Sequence, residues 1–191
     1  MSKHGLSRRS ALAAIAVAVA VAPGVLGAQA NAMPSEVAAE LAGSRLHGAG
    51  RLTYFGLSVY DARLWAGERF SAAQFEREPL ALELQYARTL QGKLIAERSL
   101  TEMQRFGAVP EADAARWLAS MTQLFPNVTQ GDRLTGLHRP GEAARFYFNG
   151  SLRGEVREPD FARRFFSIWL SPQTSEPKLR LALLGGQRAS T

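Results

Sequence analysis

An alternation of apolar and polar side chains marks the clearest strand in the chain. Positions 80, 82, 84 and 86 carry Leu, Leu, Leu and Tyr, and smaller or polar residues stand between them. This period of two predicts a half-buried strand over 79–88. Residues 51–65 are rich in aromatic and β-branched side chains and are interrupted by Gly56, so they predict one long strand or two.

Further strands are predicted near 132–138 and 143–149. The dipeptide Asn149-Gly150 strongly favours a tight turn and predicts a hairpin with residues 151–156. Glycines at 43, 48 and 50 indicate a polar segment before the first predicted strand.

Apolar side chains at helical spacing predict three longer helices and two short ones. Proline or glycine marks most of their ends. The predicted ranges are 34–41, 92–107, 110–125, 159–170 and 177–184. Because strands occur as hairpins and helices occur in blocks, the class predicted is α+β, an antiparallel sheet with helices on one face.

Composition excludes several kinds of chemistry. The chain has 191 residues, of which 46% are hydrophobic and 21% charged, as in folded globular proteins. It contains no cysteine, so disulfides, thiolate catalysis and iron–sulfur clusters are impossible. His47 and His138 stand apart from other ligand-type residues, and no glycine-rich nucleotide motif precedes a helix. We therefore expect no metal and no cofactor.

The first 32 residues have the layout of an export signal. Arg8 and Arg9 precede an apolar run over 11–22, and no acidic residue occurs. Twelve apolar residues are too few for the roughly 20 of a membrane-spanning helix, so no stable membrane anchor is expected. Ala28-Gln29-Ala30 and Ala30-Asn31-Ala32 both suit signal cleavage, and the second is preferred. The alternative, an uncleaved amphipathic helix, is disfavoured because residues 11–22 lack a polar face.

After cleavage, residues 33–191 would form a single periplasmic domain. The formal charge of +6 falls to +3 once the three basic side chains of the signal are set aside. Arginines are scattered among acidic residues, so a nucleic-acid interface is not expected.

Six short motifs in a fixed order make the chain resemble the bacterial chalcone isomerase-like family over about residues 40–186. They are residues 46–51 (LHGAGR), 57–65 (LSVYDARLW), 131–134 (GDRL), 148–150 (FNG), 161–170 (FARRFFSIWL) and 179–185 (LRLALLG). The resemblance implies an open-faced β-sandwich, in which a curved antiparallel sheet carries a layer of helices. In that fold the ligand cleft lies between sheet and helices, and it holds a flavonoid in plant enzymes or a lipid carboxylate in fatty-acid-binding relatives.

The resemblance also implies site residues. Arg51 is similar to an arginine used by enzymatic and lipid-binding relatives, Tyr60 falls at a strand threonine of the plant enzymes, and Thr174 matches a polar residue before the last helix. If the protein is an enzyme, Arg51 and Tyr60 would stabilise charge on a substrate carbonyl. The plant enzymes' helical Tyr, Lys and Asn fall at Gln91, Leu94 and Arg98, which departs from the catalytic pattern.

Three functions follow from this resemblance. The favoured one is a binder of a small hydrophobic carboxylate or phenolic ligand, oriented by Arg51. The alternative is an intramolecular lyase acting on chalcone-like enones, and the third is an interaction module whose cleft is filled by side chains. Structural roles stay open beside these, since Arg51 could pair with Asp61 or Glu83, and Tyr60 and Trp169 could belong to the core.

The export hypothesis predicts a processed protein in the periplasm. Cell fractionation with intact-mass measurement should find a soluble species that begins near Met33. A full-length species in the membrane fraction would contradict it.

Overall fold

One antiparallel sheet organises the computed structural model, which describes residues 32–186. Each strand pairs with the next along the chain, so the sheet is a six-stranded meander. Its strands are β1 (Arg45–Tyr54), β2 (Leu57–Ala66), β3 (Leu80–Tyr86), β4 (Arg133–Arg139), β5 (Ala143–Phe148) and β6 (Ser151–Val156). The predicted signal lies outside the described residues except for Ala32.

Between residues 32 and 186, five α-helices accompany the sheet and confirm the predicted α+β class. They are α1 (Ser35–Glu40), α2 (Gly92–Met103), α3 (Glu111–Leu124), α4 (Pro159–Leu170) and α5 (Pro177–Leu183). Short 3-10 segments cover Ala72–Arg77 and Gln104–Phe106. Within the described part of the chain, no helix is both long and apolar enough to span a bilayer.

Four helices cover one face of the sheet, which we call the inner face. Along each strand alternate residues point to this face, and α2 to α5 pack on them around Phe146, which is completely buried. Phe161, Phe165 and Trp169 recur every four residues along α4 and contact one another, with ring centroids 5.8 and 5.4 Å apart. Each such side chain contributes roughly 1.5–3 kcal/mol on burial, so this aromatic layer holds helices and sheet together.

The prediction that all helices share one face is corrected by α1, which packs on the opposite, outer face. Val37 joins a separate apolar cluster that includes Trp65 and Leu137. The buried Glu36 carboxylate accepts hydrogen bonds from Arg133 and from the Thr135 hydroxyl, 2.8 Å away. A buried acid and an apolar side chain thus fasten this short helix to the sheet.

A second difference concerns β1, which begins at Arg45 instead of residue 51 and therefore includes Gly48 and Gly50. The reason is tertiary. Ideal Cβ atoms at Gly48 and Gly50 would lie 2.2 Å from the Leu183 carbonyl oxygen and 2.8 Å from the Ala182 Cβ. Glycine at both positions therefore lets α5 approach the strand closely.

Replacing Gly48 should show this constraint. Gly48→Ala is expected to lower the free energy of unfolding by roughly 1–3 kcal/mol, because the added carbon must push α5 away from β1. Gly67→Ala is the matched control, since nothing lies within 4 Å of its added carbon. The control should be neutral within about 0.5 kcal/mol or slightly stabilising. Equal urea midpoints for the two variants would contradict the account.

Candidate functional site

An apolar cavity of about 150 Å³ lies between the inner face and the helices. Its walls come from β1 to β4, from α2 and α4, and from the loop before α5. The sheet contributes Leu52, Val59, Tyr60, Leu84, Tyr86 and Leu134. Ile95, Arg98, Ser99, Glu102, Phe125, Phe165, Ile168, Trp169, Ser175 and Glu176 complete it.

Strand pairing and one β-bulge position the sheet side of the cavity. Leu52 of β1 lies opposite Tyr60 of β2, which lies opposite Tyr86 of β3. The β1–β2 register shifts directly after Leu52 and leaves Val59 without a partner in β1. A bulge re-aims the backbone, and here two successive residues, Val59 and Tyr60, both line the cavity.

Two tyrosine side chains supply polar groups at the sheet wall. The rings of Tyr60 and Tyr86 meet edge to face with centroids 5.9 Å apart. Trp169 Nε1 donates a hydrogen bond of 2.9 Å to the Tyr60 hydroxyl. The Tyr60 hydroxyl thereby accepts from the indole and keeps its own hydrogen available for a ligand.

Both tyrosines are neutral at physiological pH, and burial disfavours their charged form further. Part of the Tyr60 residue is accessible to solvent, but its hydroxyl end is enclosed, and this burial raises the pKa of the Tyr60 phenol well above its usual value. Burial likewise raises the pKa of Tyr86. A phenol whose charged form is disfavoured stays a neutral hydrogen-bond donor at physiological pH. The sheet wall therefore offers donors without introducing charge.

An ion pair on α2 forms the charged edge of the cavity. Arg98 lies one turn before Glu102, and a guanidinium nitrogen of Arg98 is 2.6 Å from Glu102 Oε1. Arg105 Nε lies 3.5 Å from the other carboxylate oxygen. The Glu102 side chain is only 7% exposed, whereas that of Arg98 is 66% exposed. Glu176, on the loop before α5, also lines the cavity, so its charged lining groups are one guanidinium and two carboxylates.

Arg51 lies outside the cavity, which corrects the location expected from the family resemblance. Arg51 pairs with Asp61 across β1 and β2, whereas their neighbours Leu52 and Tyr60 point inward. The two side chains form a bidentate ion pair with distances of 2.6 and 2.9 Å. Its hydrogen bond to Asp61 raises the pKa of Arg51. The structural alternative, pairing with Asp61, is what the geometry shows, and a binding role for Arg51 stays a prediction.

Thr174 lies beside the cavity, and its hydroxyl group is hydrogen-bonded within the protein. The hydroxyl donates to the Ile168 carbonyl at 2.5 Å and accepts from the Glu176 backbone N–H at 3.1 Å. Thr174 thus joins the end of α4 to the start of α5 and places Ser175 and Glu176 on the cavity wall. Direct contact with a ligand stays a prediction for this residue.

The sequence-based site omitted Tyr86 and Glu102 and assigned no binding role to Arg98 or Trp169. Period-two alternation already placed Tyr86 on the same strand face as Leu84, and Arg98 and Glu102 stand at the i, i+4 spacing of a helical ion pair. Of the three helix positions that the plant enzymes use, only Arg98 lines the cavity, whereas Gln91 and Leu94 are exposed.

Fold and site together define an open-faced sheet protein with a small apolar cavity beneath its helices. A family model described as chalcone isomerase-like matches residues 28–185. The chain belongs to this family, as its motifs indicated.

A bacterial protein and a plant protein are among the individual proteins similar to the chain. An uncharacterized protein of Haemophilus influenzae is 26% identical over 117 residues, which are 61% of this chain and 57% of that protein. The crystal structure of an Arabidopsis thaliana fatty-acid binding protein has a TM-score of 0.59 and 16% identity, and the match covers 75% of this chain and 87% of that one. This second likeness confirms the fold.

The two cavity tyrosines should respond differently to loss of their hydroxyls. Tyr60→Phe leaves the Trp169 N–H without its acceptor, so the free energy of unfolding should fall by about 1–3 kcal/mol. Tyr86→Phe is the matched control, because its hydroxyl makes no hydrogen bond within residues 32–186, and this variant should be neutral or slightly stabilised. Urea denaturation without ligand measures both. An equal loss of stability in both variants would contradict the expectation that the hydrogen bond from Trp169 to Tyr60 stabilises the fold.

Proposed function

We propose that the protein binds a small, partly apolar acid in the cavity between sheet and helices and does not act as an enzyme. The observation that carries this proposal is a mostly apolar cavity with neutral phenol donors on one wall and an arginine at its edge. Binding sites for small molecules commonly combine apolar walls with a few polar groups that fix orientation.

The apolar walls would supply affinity and the polar groups orientation. Transfer of apolar surface from water stabilises a complex in proportion to the area buried, about 25 cal/mol per Å². A carboxylate could accept hydrogen bonds from Tyr60 and Tyr86 while Arg98 offsets its charge. Glu102 would act as a positioning residue, because its pair with Arg98 holds the guanidinium at the cavity edge.

The volume of the cavity limits the size of the ligand that it can hold. An apolar cavity of about 150 Å³ holds a benzene-sized molecule. The volume therefore favours an aromatic acid or a short-chain fatty acid, and a longer chain would extend through the cavity mouth. Similarity to a plant fatty-acid binding protein supports the same class of ligand.

An intramolecular lyase acting on chalcone-like enones is the alternative. One observation favours it: the Trp169 and Tyr60 pair presents an ordered hydrogen-bond donor, as stabilisation of a developing oxyanion requires. Two observations oppose it. A chalcone carries two aromatic rings, more than this cavity encloses, and Gln91 and Leu94 stand where the plant enzymes have tyrosine and lysine.

We place this binding in the periplasm, on the grounds of the paired arginines and short apolar run near the start of the chain. Intact-mass measurement of the fractionated protein tests the location separately from ligand binding.

Substitution of two arginines tests the binding proposal. Arg98→Gln should weaken benzoate or hexanoate binding by about tenfold or more, since a charge-assisted contact is lost. Arg51→Gln is the matched control on the outer face and should leave affinity unchanged. Benzamide, which lacks the negative charge, should bind both variants and the wild type equally. Isothermal titration calorimetry gives these affinities.

Native mass spectrometry of protein purified from its own host should reveal a co-purified acid. If no acid is retained and neither test acid binds in calorimetry, the proposal is contradicted. Weaker binding in Arg51→Gln, with no change in Arg98→Gln, would show that Arg51 binds the carboxylate and Arg98 does not. Faster loss of chalcone absorbance than the spontaneous rate would favour the lyase.

A further inference from the structure

Two hairpins in the sheet use the same kind of turn with different residues. Asn149 and Gly150 join β5 to β6 with φ of 48° and 86°, and Phe55 and Gly56 join β1 to β2 with φ of 49° and 76°. Asparagine and glycine suit positive φ, whereas a bulky side chain there is a backbone outlier. The β1–β2 turn therefore carries phenylalanine at a position where asparagine would be less strained.

Packing within the protein does not account for this phenylalanine. Phe55 is 88% exposed, and its neighbours Tyr54 and Leu57 are 64% and 56% exposed. Phe55 and Tyr54 contact each other edge to face at 4.5 Å, outside the core. We call Tyr54, Phe55 and Leu57 the hairpin tip. A strained and exposed aromatic residue at a turn indicates that the hairpin tip itself contacts another molecule or surface.

We propose that the hairpin tip inserts into the surface of an anionic lipid bilayer. Residues 52–60 contain no charged side chain, so insertion would remove no charge from water. The nearest flanking charges along the two strands, Arg51 and Asp61, are paired with each other. Aromatic side chains with an apolar ring favour the interface between water and lipid.

The size of the tip favours a bilayer over a protein partner. Three partly exposed side chains of this kind offer roughly 400 Å² of surface, because an aromatic side chain presents about 150–250 Å² in all. A stable protein interface needs about 800 Å² from each partner. Insertion into lipid has no such minimum, since each apolar side chain that enters contributes separately.

The charge next to the tip favours an anionic surface. Arg88 is exposed and follows Ala87, whose backbone N–H donates to the Val59 carbonyl close to the tip. A guanidinium near an anionic membrane is attracted at distances up to a Debye length. The same hairpin lines the cavity through Leu52, Val59 and Tyr60, but the proposal does not depend on any ligand.

Phe55→Asn separates lipid binding from stability. Asparagine removes the aromatic ring and suits the positive φ, as at Asn149. The denaturation midpoint should stay equal or rise. Co-sedimentation with vesicles of equal parts phosphatidylcholine and phosphatidylglycerol should fall by about tenfold or more, the factor that burial of one aromatic side chain supplies. Leu152→Asn, at an exposed leucine on β6, is the control and should sediment like the wild type.

Phe55→Gly, which also tolerates positive φ, is the second variant and should lose vesicle binding equally. Binding should weaken with phosphatidylcholine alone and in Arg88→Gln, because both reduce charge attraction. Failure of the wild-type protein to sediment, or unchanged sedimentation of both Phe55 variants, would overturn the proposal. A dimer that Phe55→Asn disperses, without vesicle binding, would assign the tip to a second copy of the chain and also overturn it.

Discussion

Alternation of side chains between the two faces of a single antiparallel sheet is the constraint on which the rest of this structure depends. The inner face carries the apolar core and the cavity, and the outer face carries arginine and acid pairs. Three of these pairs are direct cross-strand partners: Arg51 with Asp61, Arg63 with Glu83, and Arg145 with Glu155. A shift of one residue in register would exchange the two faces, so pairing decides which side chains can meet a ligand.

The outer face shows how charge is accommodated on a sheet that is partly covered. The Glu83 carboxylate, almost fully buried, accepts from Arg63 at 2.8 Å and from the Trp65 indole at 2.9 Å. Glu40 of α1 accepts from the Tyr147 hydroxyl and from Arg145, which together lower the pKa of Glu40. Each enclosed carboxylate thus has donors that offset its loss of hydration.

The inner face uses a different chemistry, in which enclosed polar groups are mostly neutral. Trp169 of α4 and Tyr60 of β2 are joined by a hydrogen bond across the cavity wall, so helix layer and sheet contribute to one polar element. The charged groups that line the cavity are Arg98 and Glu102 of α2 and Glu176 of the loop before α5. The β1–β2 hairpin lines this cavity and ends in the exposed hairpin tip. The same two strands therefore carry an apolar cavity wall and an apolar exposed surface.

Local pattern was sufficient to predict most elements and the class of fold. The period of two over 79–88 became β3, and Asn149-Gly150 became the β5–β6 turn, because alternation and turn chemistry depend on neighbouring residues. Motif order indicated the family. The glycines at 48 and 50 were misjudged, since their reason is the approach of α5, more than 130 residues away in sequence. Arg51 was expected in the cleft, but it lies on the outer face. A family resemblance does not reveal strand register, which decides the face to which a side chain points. Only the tertiary structure placed Tyr60, Tyr86, Arg98 and Trp169 around one cavity, since it is formed by elements distant in sequence.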